Sequence, residues 1–266
     1  MFIGRIFVGI LLLLIFIFSV FCLSNFVFQL LTLVILFFLL IEWLNILELN
    51  SIFYKILYIL ITLLFGYFVV KYNLIFKKIL YLNLCIWIIG FISIIFYMKL
   101  KFIFRKKIIG FFLGFLIFIP WWYSLNYLYS TSSYFKLDLF FVCTLVIMSD
   151  ISAFFFGYIW GKKKLAQNIS PGKTWFGVFG AALSTLFIVL IFLFIFNINV
   201  NMILSYVLFS YIILFVSIIG DLLESVFKRN MGLKNSSKLL LYHGGFLDRF
   251  DSILSAIPVF VLLFKI

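Results

Sequence analysis

Of the eight acidic residues in the chain, five lie from residue 150 onward: Asp150, Asp221, Glu224, Asp248 and Asp251. Asp221, Glu224, Ser225 and Lys228 follow one another at i, i+3, i+4 and i+7, which is one face of a helix. Asp248 and Asp251 repeat the i, i+3 step. Carboxylates on two facing helices make a site for Mg²⁺, a hard cation that takes oxygen ligands. Lys228, Arg229 and Arg249 alternate with these acids and supply the positive complement that phosphate groups require. His243-Gly244-Gly245 stands just before Asp248. Glycines there let the backbone approach a ligand closely, and the N–H groups of a helix start can receive an anion. His243 is the only histidine in the chain, and its place between a basic loop and an acidic helix start makes it a candidate site residue.

The elements that must carry these residues are membrane spans. Hydrophobic residues make up 67% of the chain and charged residues 11%, with a mean hydropathy of +1.33. A soluble domain carries about 25% charged residues, and only lipid tolerates so much outward apolar surface. The expected fold is all-α: a polytopic bundle of eight or nine spans, near 6–23, 26–47, 52–70, 79–98, 108–127, 137–159, 174–197, 202–224 and 246–264. The first run has no small-residue cleavage site after it and reads as a retained span rather than a signal peptide. Residues 1–136 form the N-terminal helices and 137–266 the C-terminal helices that carry the charged motifs, in one integral membrane unit. Cys22, Cys85 and Cys143 sit in apolar runs without paired spacing, which excludes a zinc or disulfide framework and leaves them as small buried apolar residues.

Basic loops orient the bundle. Lys99, Lys101, Arg105, Lys106 and Lys107 follow the fourth span, Lys162, Lys163, Lys164 and Lys173 the sixth, and Lys228, Arg229, Lys234 and Lys238 the eighth. The positive-inside rule places these three loops and the N-terminus in the cytoplasm; Lys71, Lys77 and Lys78 after the third span are the exception. In that orientation the five late carboxylates lie at one depth, beside the basic loops, near the cytoplasmic face. A carboxylate at mid-bilayer costs at least about 2.5–3.5 kcal/mol, so this clustering points to a polar pocket. Gly172-Lys173-Thr174 ends like a P-loop, but Gln167 stands where that motif needs its first glycine, so a P-loop NTPase is excluded.

The stretch Ser225-Val-Phe-Lys228-Arg229, then Lys234, then His243-Gly244-Gly245-Phe-Leu-Asp248-Arg249-Phe-Asp251 resembles the signature of the phosphatidate cytidylyltransferase (CDP-diacylglycerol synthase) family. Gly220-Asp221-Leu-Leu-Glu224-Ser225 is similar to the run before that signature. Asp150-Ile-Ser-Ala153, Gly157, Gly161-Lys162 and Ile169-Ser170-Pro171-Gly172-Lys173-Thr174-Trp175 resemble the family's upstream block. The resemblance covers roughly residues 150–255, and Glu42-Trp43 is similar to a feature near the family's second span. It implies an enzyme of phospholipid biosynthesis that converts CTP and phosphatidic acid to CDP-diacylglycerol and pyrophosphate with Mg²⁺ and room for a second metal ion. It implies Asp221, Asp248 and Asp251 as metal ligands, and Lys228, Arg249 and His243 beside them in catalysis. Ser170, Lys173, Thr174, Ser225, Arg229, Lys234, Gly244 and Gly245 would contribute to substrate binding. The partners are CTP, phosphatidic acid and the bilayer of the inner cell membrane, with no nucleic acid; a homodimer is compatible with the resemblance.

The chain departs from the family pattern at Asn235 (usually Asp), Leu241 (usually Pro, Gly or Ser), Phe176 (usually Glu) and Tyr158 (usually Arg). The core acids Asp221, Asp248 and Asp251 are retained. The reaction asks little of acid–base or covalent catalysis, because the attacking phosphate oxygen is already anionic; alignment and charge neutralisation suffice. Two other readings compete. A transporter or scaffold would carry charges at mid-depth along several helices. A CTP-dependent polyprenol-type lipid kinase would release CDP rather than pyrophosphate. The motif of the CDP-alcohol phosphatidyltransferases is missing from the sequence.

Overall fold

A computed structural model describes residues 15, 17–71, 76–131, 134–197, 200–237, 239 and 244–265. Among these the chain is a bundle of helices: α1 (Asn25–Ile46), α2 (Ile52–Lys71), α3 (Phe76–Ile95), a short α4 (Tyr97–Phe104), α5 (Lys107–Thr131), α6 (Phe135–Trp160), α7 (Trp175–Ile195), α8 (Ile203–Asn230) and α9 (Leu247–Phe264). The helices α1–α3 and α5–α8 are long and apolar enough to cross a membrane. α9 has the length as well, but opens on the charged residues Asp248, Arg249 and Asp251. The protein is therefore an all-α polytopic membrane bundle, as its composition requires. Of the expected first span, 6–23, only the later part is described, and residues 17–21 are helical. Outward faces carry large apolar side chains such as Phe154, Phe187, Phe194 and Leu208, the surface that acyl chains solvate. Cys143 is buried, but Cys22 and Cys85 lie on that outward surface rather than in the core.

Two differences from the sequence reading bear on the charged residues. The eighth expected span does not stop at residue 224; α8 continues to Asn230. It ends in a Schellman arrangement, in which Leu233 N–H donates to the Lys228 carbonyl (2.8 Å) and Gly232 N–H to the Arg229 carbonyl (3.2 Å). That turn needs a left-handed residue, and Gly232 supplies it with φ +70°. Lys228 and Arg229 are thus helical, not loop residues, and sit in the last turn where the helix dipole favours cations. The basic segment between α6 and α7 is not an open loop either. It folds as an antiparallel hairpin of β1 (Lys164–Ala166) and β2 (Ser170–Thr174), with Lys164 opposite Thr174 and Ala166 opposite Ser170.

Helix ends fix which residues share a face of the bundle. Trp43, late in α1, donates from its indole N–H to the Gly110 carbonyl near the start of α5 (3.0 Å), and the Lys107 ammonium donates to the Glu48 carbonyl (2.8 Å). At the other end, Lys265 after α9 pairs with Asp138 at the start of α6 (2.8 Å). The end of α1, the start of α5, the end of α8 and the start of α9 therefore cluster together, away from Asp138.

A mid-bundle proline is accommodated by a polar residue from a neighbour. Pro120 inside α5 has no N–H for the carbonyl four residues back, that of Leu116. The side-chain amide of Asn83 on α3 donates to that carbonyl (2.8 Å), and its oxygen accepts from the Trp87 indole (2.9 Å). Asn83→Leu strands both groups in an apolar interior and is expected to cost about 1–3 kcal/mol, read as a lower unfolding midpoint in detergent. An unchanged midpoint would mean that both groups find other partners.

Candidate active site

Close approach of α8 and α9 builds the centre of the site. Gly220 makes this possible: a Cβ there would come within 2.8 Å of the Asp251 carbonyl and 2.5 Å of the Ser255 hydroxyl. With no side chain in the way, the acids of α8 face the start of α9. Lys228 lies between them, its ammonium 2.6 Å from Asp248 Oδ1 and 3.0 Å from Glu224 Oε1, with all three side chains nearly buried. Asp248 also accepts from the backbone N–H of Ser236 (3.0 Å) and of Gly245 (2.8 Å). Glu224 is less well served: beyond the Lys228 ion pair, its buried oxygens have only the Asp251 carboxyl as a side-chain partner among the described residues. Asp251 interacts electrostatically with Asp221, Glu224 and Lys228.

The hairpin supplies the other half. Lys173 on β2 pairs with Asp221 at 2.6 Å, both side chains about a quarter exposed. Ser225 Oγ lies 3.5 Å from Asp221 Oδ1. Asp150 on α6 interacts with Asp221, Lys173, Arg249 and the Ser252 hydroxyl. Arg229 fastens the hairpin to the end of α8, donating from Nε to the Ile169 carbonyl (3.1 Å) and from Nη1 to the Leu233 carbonyl (2.9 Å). The five late carboxylates thus meet in one continuous network of both signs, as the spacing and depth argument expects.

Some expected residues do other work. Thr174 is buried and caps α7, its hydroxyl accepting from Gly177 N–H (3.1 Å), a standard helix-start device. Lys234 is exposed, and Ser170 is half-buried in the hairpin. Gly244 has φ +83°, a conformation that suits glycine. His243 and Leu241 lie outside the described residues. Of the family departures, Tyr158 and Phe176 point outward at 83% and 50% exposure, while Asn235 packs against Gly244. Among the described residues no group of three or more His, Cys, Asp and Glu side chains is arranged to hold a metal ion. Each aspartate is turned to its own partner: Asp221 to Lys173, Asp248 to Lys228 and Asp251 to Glu224.

Glu42, named in the sequence only as part of a family-like pair with Trp43, was not assigned to the site. It stands near the end of α1, fully buried, and its carboxylate accepts from Ser236 Oγ (2.8 Å), Ser237 Oγ (2.7 Å), Phe246 N–H (3.0 Å) and Leu247 N–H (2.8 Å). The backbone N–H groups at the start of α9, open for an anion in the sequence reading, are taken by Glu42 and Asp248. A lone carboxylate late in an otherwise apolar span was the available signal, since burial at that cost needs partners.

Part of the sequence is 52% identical over 122 residues to the phosphatidate cytidylyltransferase of Pseudomonas aeruginosa, covering 46% of this chain and 45% of that protein. Proteins of the same name are similar from Haemophilus influenzae (42% over 125 residues; 46% of this chain, 43% of the relative) and Bacillus subtilis (37% over 128 residues; 47% and 46%). These matches span about half the length of the curated relatives. A sequence model of the Cytidylyltransferase family matches residues 3–266, and the chain belongs to that family.

Proposed function

We propose that this membrane protein is a phosphatidate cytidylyltransferase, active at the cytoplasmic face of the inner cell membrane. An anionic phosphate oxygen of phosphatidic acid attacks the α-phosphorus of CTP; the new P–O bond forms as the bond to the β-phosphate oxygen breaks, giving CDP-diacylglycerol and pyrophosphate. The observation that supports this most is the joining of Asp150, Lys173, Asp221, Glu224, Lys228, Asp248 and Asp251 at one end of an otherwise apolar bundle. A transport path would instead thread charge along the helices.

The donor set suits Mg²⁺ in kind. All the groups are carboxylates, and the Glu224 oxygens are buried with only Lys228 and the Asp251 carboxyl beside them. Mg²⁺ is commonly held by one or two carboxylates plus substrate phosphates rather than by an all-protein cage. Asp221 and Asp248 would hold the ion, with Asp251 behind them; bound there, it would neutralise charge on the triphosphate. Lys173, on a hairpin and partly exposed, is placed to exchange Asp221 for a phosphate oxygen. Lys228 is too enclosed for that and holds Asp248 in position. Basic loops beside the site favour the cytosolic side, where CTP is dissolved and the lipid arrives within the leaflet.

The test is turnover of purified protein with CTP and phosphatidic acid. CDP-diacylglycerol and pyrophosphate are expected to form in equal amounts, and chelation of divalent ions is expected to stop the reaction. Release of CDP would instead make the protein a lipid kinase, and a folded protein with no turnover would favour a scaffold or transporter.

A further inference from the structure

The four hydrogen bonds to Glu42 join two places in the chain. Ser236 and Ser237 lie within the connection after α8, and Phe246 and Leu247 stand at the start of α9. One carboxylate on α1 therefore pins two separate points of the signature. Phe38, one helical turn before Glu42, adds a second grip, its ring stacked on Phe246 with centroids 5.8 Å apart. The space around the clasp is full, since a Cβ at Gly245 would run into the Ser236 hydroxyl and the Glu42 carboxylate.

Ser236 links the clasp to the chemistry. Its hydroxyl donates to Glu42, while its backbone N–H donates to both oxygens of Asp248 (3.2 and 3.0 Å). Leu247, held by Glu42 through its N–H, is the residue directly before Asp248. The orientation of the Asp248 carboxylate thus depends on a residue of α1.

We propose that Glu42 is a positioning residue for the cytidylyltransferase site: it clamps Ser236–Ser237 and Phe246–Leu247 so that Asp248 faces the substrate pocket. The inference rests on the reading of Asp248 as a metal ligand. All four partners of Glu42 donate, so the position needs two acceptor oxygens. Glutamine has one, and would turn its amide N–H groups towards donors.

Glu42→Gln is expected to raise the half-saturating Mg²⁺ concentration about tenfold and to lower kcat by about 10–100-fold, the range for partners that orient metal ligands. Hydrogen exchange of the substrate-free protein is expected to quicken in peptides covering 236–237 and 244–248, and to stay as in the wild type in α2, α3 and α7. Glu42→Asp keeps two acceptors and should recover part of both effects. An unchanged Mg²⁺ dependence together with unchanged local exchange would overturn the proposal. So would faster exchange throughout the bundle, which would mark Glu42 as a general stability residue. If Glu42→Gln does not accumulate, the double variant Ser236→Ala, Ser237→Ala removes two of the four bonds and is read in the same way. If the wild type fails to turn over CTP and phosphatidic acid, the proposed reaction falls, yet the exchange measurement still decides whether Glu42 holds this segment.

Discussion

Asp221→Asn is expected to silence CDP-diacylglycerol formation while leaving the protein folded. Asp221 is about a quarter exposed and makes one ion pair, with Lys173. Such a partly solvated pair contributes little to stability, about 1 kcal/mol or less, so the unfolding midpoint in detergent should barely move. Turnover is another matter: removing one preorganised group that neutralises charge at a reacting centre costs about two to three orders of magnitude or more. Asp248→Asn should be equally inactive but not equally stable. Asp248 also holds the Lys228 ammonium and accepts from the N–H groups of Ser236 and Gly245, and an amide serves those donors poorly. Comparing the two variants in turnover and melting separates the chemical role of the carboxylates from their structural one. Near-normal turnover by Asp221→Asn would remove that residue from the proposed metal site.

Lys228→Met is expected to produce the largest loss of stability. The ammonium is the shared partner of Glu224 and Asp248, with the three side chains only 6–12% exposed. Methionine is close in length and keeps the packing, but it leaves two carboxylates near each other with no cation between them. Breaking a buried pair from one side costs about 3–5 kcal/mol, far more than the pair itself is worth, because the remaining charge is uncompensated. Thermal unfolding in detergent measures the loss. Adding Glu224→Gln to Lys228→Met removes one of the stranded charges and should restore part of the stability. A single variant as stable as the wild type would show that water reaches these carboxylates.

The positions of the spans were legible because length and hydropathy are local properties. Every expected span from residue 26 onward is matched by a helix. The end of α8 was missed because the charges of Asp221, Glu224, Lys228 and Arg229 look like the end of an apolar run, whereas the backbone stops only where Gly232 allows a left-handed turn. The hairpin at Lys164–Thr174 was missed because two strands of three and five residues are too short for any periodicity to register. That Thr174 caps α7 was likewise not read, because its place in a family-like block drew it towards substrate binding.

Sequence alone determined that this chain lies in a membrane as a helical bundle, and that its late acids share one level with the basic segments. Those follow from the number of apolar residues needed to cross lipid and from the backbone's need to satisfy itself there. Only the tertiary structure decided which charge meets which. The pairing of Lys228 with Asp248, of Lys173 with Asp221, and of Glu42 with a segment about two hundred positions later depends on how each helix is rotated about its axis. That rotation is set by packing contacts such as the one Gly220 permits, and these have no local signature in the chain.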